Sequence, residues 1–427
     1  MKMDELYTIY LSNPSVQTDT RKLKKGDLFF ALKGPSFDGN EFAIKAIESG
    51  ASYAVIDDET YFKEGKTILV NDVLDTLQQL ALHHRKQLDI PFIAITGSNG
   101  KTTTKELIHA VLSSIYKTYT TEGNLNNHIG VPLTILKIRK DAEMAVIEMG
   151  ANHINEIASY CKIALPTHGL ITNCGKAHLE GFGGVEGVRR AKGELYDHLR
   201  ANDGTAFVMW DFTYLQEMSK GIQHIYKYGT SNADLTGFAE SSDPFLHVKF
   251  TKGYNGLVKT MLVGEYNLSN VLAAMATGIY FSVPTEKCKN ALENYSPSNS
   301  RSQLLQKGSN QIILDAYNAN PSSMKAAIEN FAKTVHSNKI LILGGMAELG
   351  ESSKEEHESI VDEIKKYKWD HVLLAGGDFM KIKHPFIQFS TADEAGKWLQ
   401  RNKIENSYFL IKGSRSMQME KILNYVQ

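Results

Sequence analysis

Cysteine is scarce: Cys161, Cys174 and Cys288 are the only three in 427 residues, and they form no C-x-x-C pair. That argues against a disulfide framework and a zinc knuckle, and fits a reducing compartment. No charge of one sign dominates. Lys and Arg number 47 against 48 Asp and Glu, a formal net charge of -1. Such a balance sets up no strong field toward nucleic acid or an anionic membrane, so neither is expected as a partner. Nowhere do about 18 apolar residues follow one another, which argues against a membrane-spanning helix. The start, MKMDELYTIY, carries acids and no long apolar run, unlike a signal peptide. These absences point to the cytoplasm.

What is present is an ordinary globular composition, 42% hydrophobic and 22% charged. At roughly 100–200 residues per domain the length suggests two to four domains, with three the middle value. Residues 1–87 alternate short apolar runs (DLFFAL, YAVID, TILV) with one helical stretch, NEFAIKAIESG, and read as a small α/β domain. HHRKQLDIP breaks that pattern and reads as a linker. In 88–298, FIAIT, MAVIEM, HGLITN and TAFVMW alternate with helical periodicity, predicting a mostly parallel sheet covered on both faces. SPSNSRS marks the next boundary, and 299–427 carries IILDAY, KILILGG, HVLLAGG and YFLIKGS, a Rossmann-like α/β unit with four strands.

The most telling stretch is IPFIAITGSNGKTTTKELIHAVLSS. A phosphate loop of the common kind reads G-x-x-x-x-G-K-[ST], but its first glycine would stand where this chain has Ile95. The context is nevertheless that of a phosphate cradle. An apolar strand precedes the glycines, and Ile108, Val111, Leu112 and Ile115 then recur as the stripe of a helix. Backbone N–H groups over Gly97, Ser98, Asn99, Gly100, Lys101, Thr102 and Thr103 would converge on phosphates at a helix N-terminus. Lys101 would supply a compact charge to the β and γ oxygens, and Thr102 a hydroxyl to Mg²⁺. Glu148 ends a predicted strand, where the ligand crevice of an open α/β sheet lies and where a carboxylate can hold Mg²⁺. Taken alone, such a Glu is more often a cap or a solvated acid. His178 follows the next apolar run, and Lys192 sits in a helix where a solvent-facing lysine is the plainer reading.

The shortened G-x-x-G-K-T-T loop resembles that of the Mur ligase family, and the resemblance runs nearly the whole chain. TDTRKLKKGDLFFALKGPSFDGNEFAIKAIESGA resembles its sugar-nucleotide domain. GNLNNHIGVP, IEMGANHINEI, ITNCGKAHLEGFG, RRAKGELYD and GEYNLSNVLAA resemble its ATPase domain, with Tyr266 where the family usually has His. YNANP, MAELG and KGSR are similar to members that add D-alanyl-D-alanine to UDP-N-acetylmuramoyl-tripeptide, and the D-N-P-R motif of the preceding step is missing.

The resemblance implies an ATP-dependent ligase of peptidoglycan precursor synthesis, acting as a monomer on UDP-MurNAc-tripeptide and D-Ala-D-Ala. It implies two Mg²⁺ ions, held by Thr102, Glu148, His178 and a carbamate that Lys192 forms with CO₂; carbamylation would turn a repelling ammonium into an anionic ligand. Arg301 is implied at the γ-phosphate, Asn270 at adenine, Asn267 among the ATP-binding residues or else a plain helix cap, and Asp315, Tyr317 and Asn318 at ribose and adenine. Lys101, His178, Lys192 and Arg301 form the implied catalytic set. Arg21, Lys33, Phe37 and Asp38 are candidates for the uridine diphosphate. Asn126 and Asn127 are candidates for the sugar-nucleotide, with an Asn-rich turn as the plain alternative. Ser414 and Arg415 would receive the dipeptide, or else form a surface loop. Two competing readings are a folylpolyglutamate-type or other Mur ligase, and a P-loop NTPase that hydrolyses ATP without forming an amide.

Overall fold

The computed structural model describes residues 2–298 and 300–426. Three sheets of four, nine and six strands follow one another along the chain, with a two-stranded hairpin in the first region. The four-stranded sheet is parallel throughout, in the order Val16–Gln17, Leu28–Phe30, Tyr53–Ile56, Thr67–Leu69. The nine-stranded sheet is parallel from Thr118–Thr120 through Met144–Glu148, Phe92–Thr96, His168–Ile171, Thr205–Met209 and His224–Gly229 to Leu235–Ser241. His247–Lys252 and Gly256–Lys259 extend it antiparallel. Strands Phe92–Thr96, Met144–Glu148 and Thr205–Met209 are buried along their whole length. Helices on both faces produce that pattern, which is why these strands read as unbroken apolar runs rather than alternating ones.

The six-stranded sheet runs Gln303–Lys307, Asn310–Asp315, Tyr408–Lys412, Lys339–Gly344, His371–Ala375, Ile387–Phe389, and only its first pair is antiparallel. The four strands expected here thus become six. Gln303–Lys307 and Ile387–Phe389 are short, half-buried edge strands without the apolar run that marks a covered strand.

The linker reading of HHRKQLDIP is corrected. Helix Val73–Arg85 runs through its first three residues, with His84 and Arg85 buried. The Arg85 guanidinium donates to the carbonyls of Ala164 (2.7 Å) and Leu165 (3.0 Å) and lies 3.7 Å above the Phe92 ring. His84 Nε2 is 2.8 Å from the Ile138 carbonyl. Polar residues are needed there because they satisfy helix-end carbonyls that would otherwise be buried unpaired. The helix after the glycine loop also ends earlier than expected, at Leu112, leaving Ile115 beyond it and 36% exposed.

Candidate active site

Strand Phe92–Thr96 delivers the chain into the loop, and Gly100 caps helix Lys101–Leu112 at φ 79°. Two glycines are required here. A Cβ on Gly97 (φ 143°) would lie 2.0 Å from Thr172 Oγ1, and one on Gly100 would lie 2.7 Å from Asn270 Oδ1. The loop is braced by the segment that follows the neighbouring strand. Asn173 accepts from the N–H groups of Ser98 (2.9 Å, on its carbonyl) and Asn99 (3.1 Å, on Oδ1). Thr172 Oγ1 donates to the Asn99 carbonyl at 2.6 Å, and Ser98 Oγ to the Gly175 carbonyl at 3.0 Å. Lys101 Nζ folds back onto the carbonyls of Gly97 (2.8 Å) and Ser98 (3.3 Å). Burial lowers its pKa; Glu148 opposes that shift and the Arg301 charge adds to it.

Glu148 ends strand Met144–Glu148 and is 1% exposed. Its Oε1 accepts from Thr102 Oγ1 (3.1 Å) and Asn126 Nδ2 (2.8 Å), while its Oε2 is buried without a partner. An unpaired carboxylate oxygen in a dry site is costly unless a cation meets it. Thr102 and Glu148 therefore fit one Mg²⁺, an ion that takes a hydroxyl and a carboxylate and keeps waters in its remaining positions. Asn126, expected near the sugar-nucleotide, is thus placed on the Glu148 carboxylate. Asn127 Oδ1 accepts from the N–H groups of Ile129 (3.2 Å) and Gly130 (2.9 Å), which is the turn-and-cap alternative.

The residues implied for a second ion are not gathered in the same way. His178, at φ 51°, has Nδ1 2.5 Å from Glu348 Oε2, and this partner holds the Glu348 carboxyl below its ordinary range. Lys192 is 1% exposed, donates to the Ala151 carbonyl at 3.1 Å and stands 5.0 Å above the Phe182 ring. Burial first, then the Lys101 charge, lower its pKa to about 7. Lys192 is thus a buried lysine and not the solvent-facing one that the helix pattern suggested. Among the described residues no group of three or more His, Cys, Asp or Glu is placed to hold a metal.

Residues of the third sheet close over the loop. Arg301 lies 3.7 Å above the Tyr317 ring. Asp315 ends strand Asn310–Asp315 and pairs with Lys412 Nζ at 2.6 Å. Asn318 Oδ1 accepts from the Ala319 N–H, and Asn320 caps helix Pro321–Lys333 while its Nδ2 donates to Asn99 Oδ1 at 2.7 Å. The Lys176 N–H donates to Ser322 Oγ at 2.9 Å, and its Nζ pairs with Glu356 at 2.6 Å. Asn267 and Asn270 have their polar ends within the protein. Asn270 donates to Asn267 Oδ1 (2.8 Å) and accepts from Thr104 Oγ1 (3.0 Å), and Asn267 donates to the Val263 carbonyl (2.9 Å). Asn270, expected at adenine, is thereby packed against Gly100 of the phosphate loop.

These groups line one cavity of about 740 Å³, which Ser98–Thr103, Asn126, Asn127, Glu148, His178, Asn267, Asn270, Arg301, Asp315, Tyr317 and Asn318 share. Gly97 and Lys192 are not among its lining residues, although Lys192 bonds the carbonyl of Ala151, which is. Outside it, Lys33, Phe37 and Asp38 meet on the small hairpin, where Lys33 pairs with Asp57 at 2.9 Å and Phe37 is 57% exposed. Arg21 stands apart on the surface, in a two-bond fork to Asp19 at 2.9 and 2.8 Å. Ser414 is buried with Oγ on the Gly345 carbonyl (2.7 Å), and Arg415 is exposed with Glu420 at 3.2 Å.

Sequence reasoning missed Lys412, Asn320, Lys176, Glu348 and Glu356. Lys412, Asn320, Lys176 and Glu348 lie within KGSR, YNANP, ITNCGKAHLEGFG and MAELG without a role assigned to them, and Asn320 also carried a cap signal, an Asn followed by Pro at the first helical position.

A phosphate loop at a strand end, an acid with an unpaired oxygen beside it, and a second α/β lobe closing the cavity define a nucleotide-binding protein built for phosphoryl chemistry. The Mur ligase family, catalytic domain model matches residues 14–92, the Mur ligase middle domain model 95–278, and the Mur ligase, glutamate ligase domain model 300–415. A Bacillus subtilis relative, UDP-N-acetylmuramoyl-tripeptide–D-alanyl-D-alanine ligase, is 36% identical over 96% of this chain and 92% of its own. MurF from Acinetobacter baumannii superimposes with a TM-score of 0.87 at 33% identity, covering 96% of this chain and 92% of that one. MurF ligase from Thermotoga maritima, solved in complex with ADP, gives 0.86 at 28%, covering 97% of each. The chain belongs to the Mur ligase family.

Proposed function

We propose that the chain is the ATP-dependent ligase that joins D-alanyl-D-alanine to UDP-N-acetylmuramoyl-tripeptide in peptidoglycan precursor synthesis. The observation that carries this reading is the shared cavity: the phosphate loop and Glu148 come from one sheet, while Arg301, Asp315 and Tyr317 come from the lobe that closes on it. In this reading residues 1–87 hold the UDP-sugar, 88–298 the ATP, and 299–427 receive the dipeptide and complete the ATP site.

A carboxylate resists amidation because it is anionic and has no leaving group. Transfer of the γ-phosphoryl from ATP to a carboxylate oxygen, with release of ADP, supplies one. The dipeptide's neutral amine then attacks the acyl carbon, a C–N bond forms, the C–O bond to phosphate breaks, and the amine proton passes to solvent. Loop N–H groups, Lys101 and Arg301 hold the phosphates and offset charge that spreads over them in the transfer. Thr102 and Glu148 would hold Mg²⁺, which would supply further charge neutralisation. The closed lobes exclude water that would otherwise hydrolyse an acyl phosphate. Arg415 exchanges Glu420 for the dipeptide carboxylate. The Lys33–Phe37–Asp38 hairpin takes the uridine diphosphate, with Arg21 as an outlying contact.

Lys192 is the carbamylated residue. Its burial leaves a neutral amine available near pH 7, and its addition to CO₂ releases one proton and yields an anion. That anion and His178, which here pairs with Glu348, would be the residues to hold a second Mg²⁺. Removal of bicarbonate should slow the enzyme reversibly, whereas a Lys192→Ala variant with unchanged rate would rule this role out. The chain acts as a monomer in this reading, and three buried free thiols suit the cytoplasm.

The test is phosphate release in a matrix of acceptors. Release should require both UDP-MurNAc-tripeptide and D-Ala-D-Ala; robust release with neither would identify a simple NTPase, and release with a single amino acid instead would identify another ligase.

A further inference from the structure

We infer that Lys412 is a positioning residue for recognition of the nucleotide's ribose, acting through Asp315; this rests on the ATP-ligase reading above. Lys412 ends strand Tyr408–Lys412 and is 2% exposed, yet it lines the nucleotide cavity. Its register partner on the adjacent strand is Asp315. Lys412 Nζ donates to Asp315 Oδ2 at 2.6 Å and to the Asn318 carbonyl at 3.2 Å. The other carboxylate oxygen, Oδ1, accepts from the Ser302 N–H at 3.2 Å, and Ser302 Oγ is 2.8 Å from the Tyr266 hydroxyl. One donor on each oxygen fixes the plane of the carboxylate and leaves a lone pair free on each. A vicinal diol presents two O–H donors, so the arrangement matches the 2′- and 3′-hydroxyls of a ribose.

The ammonium does more than balance charge. It bonds the carboxylate and the Asn318 carbonyl at once, so that Asp315 and the Tyr317–Asn318 turn move together. A pair that merely stapled two strands would contribute to stability and leave ligand preference alone. A buried pair beside a cavity wall that holds its anion open to a ligand predicts a change in preference.

The experiment is calorimetric titration of the full-length protein with ADP and with 2′,3′-dideoxy-ADP. The unaltered protein should bind ADP more tightly by about tenfold or more, the range of a hydrogen bond to a charged group. In Lys412→Met, with folding checked by thermal melt, that preference should fall below about threefold, with dideoxy-ADP affinity little changed. Lys412→Arg keeps the buried charge, and with it the fold, but its planar fork cannot reproduce both contacts, so it should lose preference by about threefold. Either folded variant retaining the full preference would overturn the inference while leaving the ligase reading intact. Equal binding of the two nucleotides by the unaltered protein would overturn the ribose reading beneath it, and the inference with it.

Discussion

Glu148 has two unlike oxygens. One is saturated by Thr102 and Asn126; the other is buried and alone. Glu148→Gln keeps the shape and removes the charge, so it should lower kcat/KM about 10²-fold or more, raise the Mg²⁺ concentration for half-maximal rate over tenfold, and leave the metal-free Tm unchanged or higher. A Tm loss with an unaltered Mg²⁺ profile would make Glu148 a structural acid only. His168 provides a separate check on the fold. Packed against Phe281, Tyr280 and Phe207, it has its pKa lowered from 6.5 to about 4 by burial. A depressed base is neutral when folded and takes up a proton more readily when unfolded. Its contribution is therefore present above about pH 6.5 and lost as the pH falls toward 4, by on the order of 3 kcal/mol. Denaturant melts of His168→Phe across that window should show a flatter acid limb; a limb of the same slope would assign the acid sensitivity elsewhere.

The strand–glycine–helix element was legible from sequence because all its determinants are local. An apolar strand, glycines at positive φ, Gly-Lys-Thr and an apolar helical stripe lie within about two dozen residues, and the element formed as read except for Ile115. Gly97→Ala should cost about 2–3 kcal/mol in Tm-derived stability and abolish ADP binding, since its Cβ would land 2.0 Å from Thr172 Oγ1 with backbone of Asn173 close behind. Near-normal stability would mean that the loop relaxes out of its braced conformation. What sequence could not convey is pairing set by register between distant strands. Asp315 and Lys412 lie 97 positions apart, and Asn99 and Asn320 lie 221 apart. No local pattern marks either pair. The same blindness made Arg85 look like linker charge, when it binds carbonyls about 80 positions away. Edge strands escaped notice for the opposite reason: half exposed, they lack the apolar run that burial on two faces demands.

At the scale of the whole molecule, the lobes meet through polar ties beside an apolar contact, in which Val263, Leu179 and Phe245 pack on the third lobe's core. Asn99 accepts from Asn320, Lys176 pairs with Glu356, and His178 with Glu348. Polar contacts of this kind suit an interface that must open to admit substrates. Glu356 is 7% exposed, so Lys176→Met would strand its charge and favour opening. Solution scattering of that variant should show a larger radius of gyration without nucleotide, with ADP affinity reduced about fivefold; unchanged scattering and affinity would remove Lys176 from closure. The central claim, that a carboxyl oxygen of the sugar-nucleotide peptide receives the phosphoryl group of ATP, is tested most directly by isotope transfer. With ¹⁸O in the terminal carboxylate of UDP-MurNAc-tripeptide, ligation to D-Ala-D-Ala should deliver one labelled oxygen to each inorganic phosphate, read by the ³¹P shift. Amide formed alongside unlabelled phosphate would contradict the account.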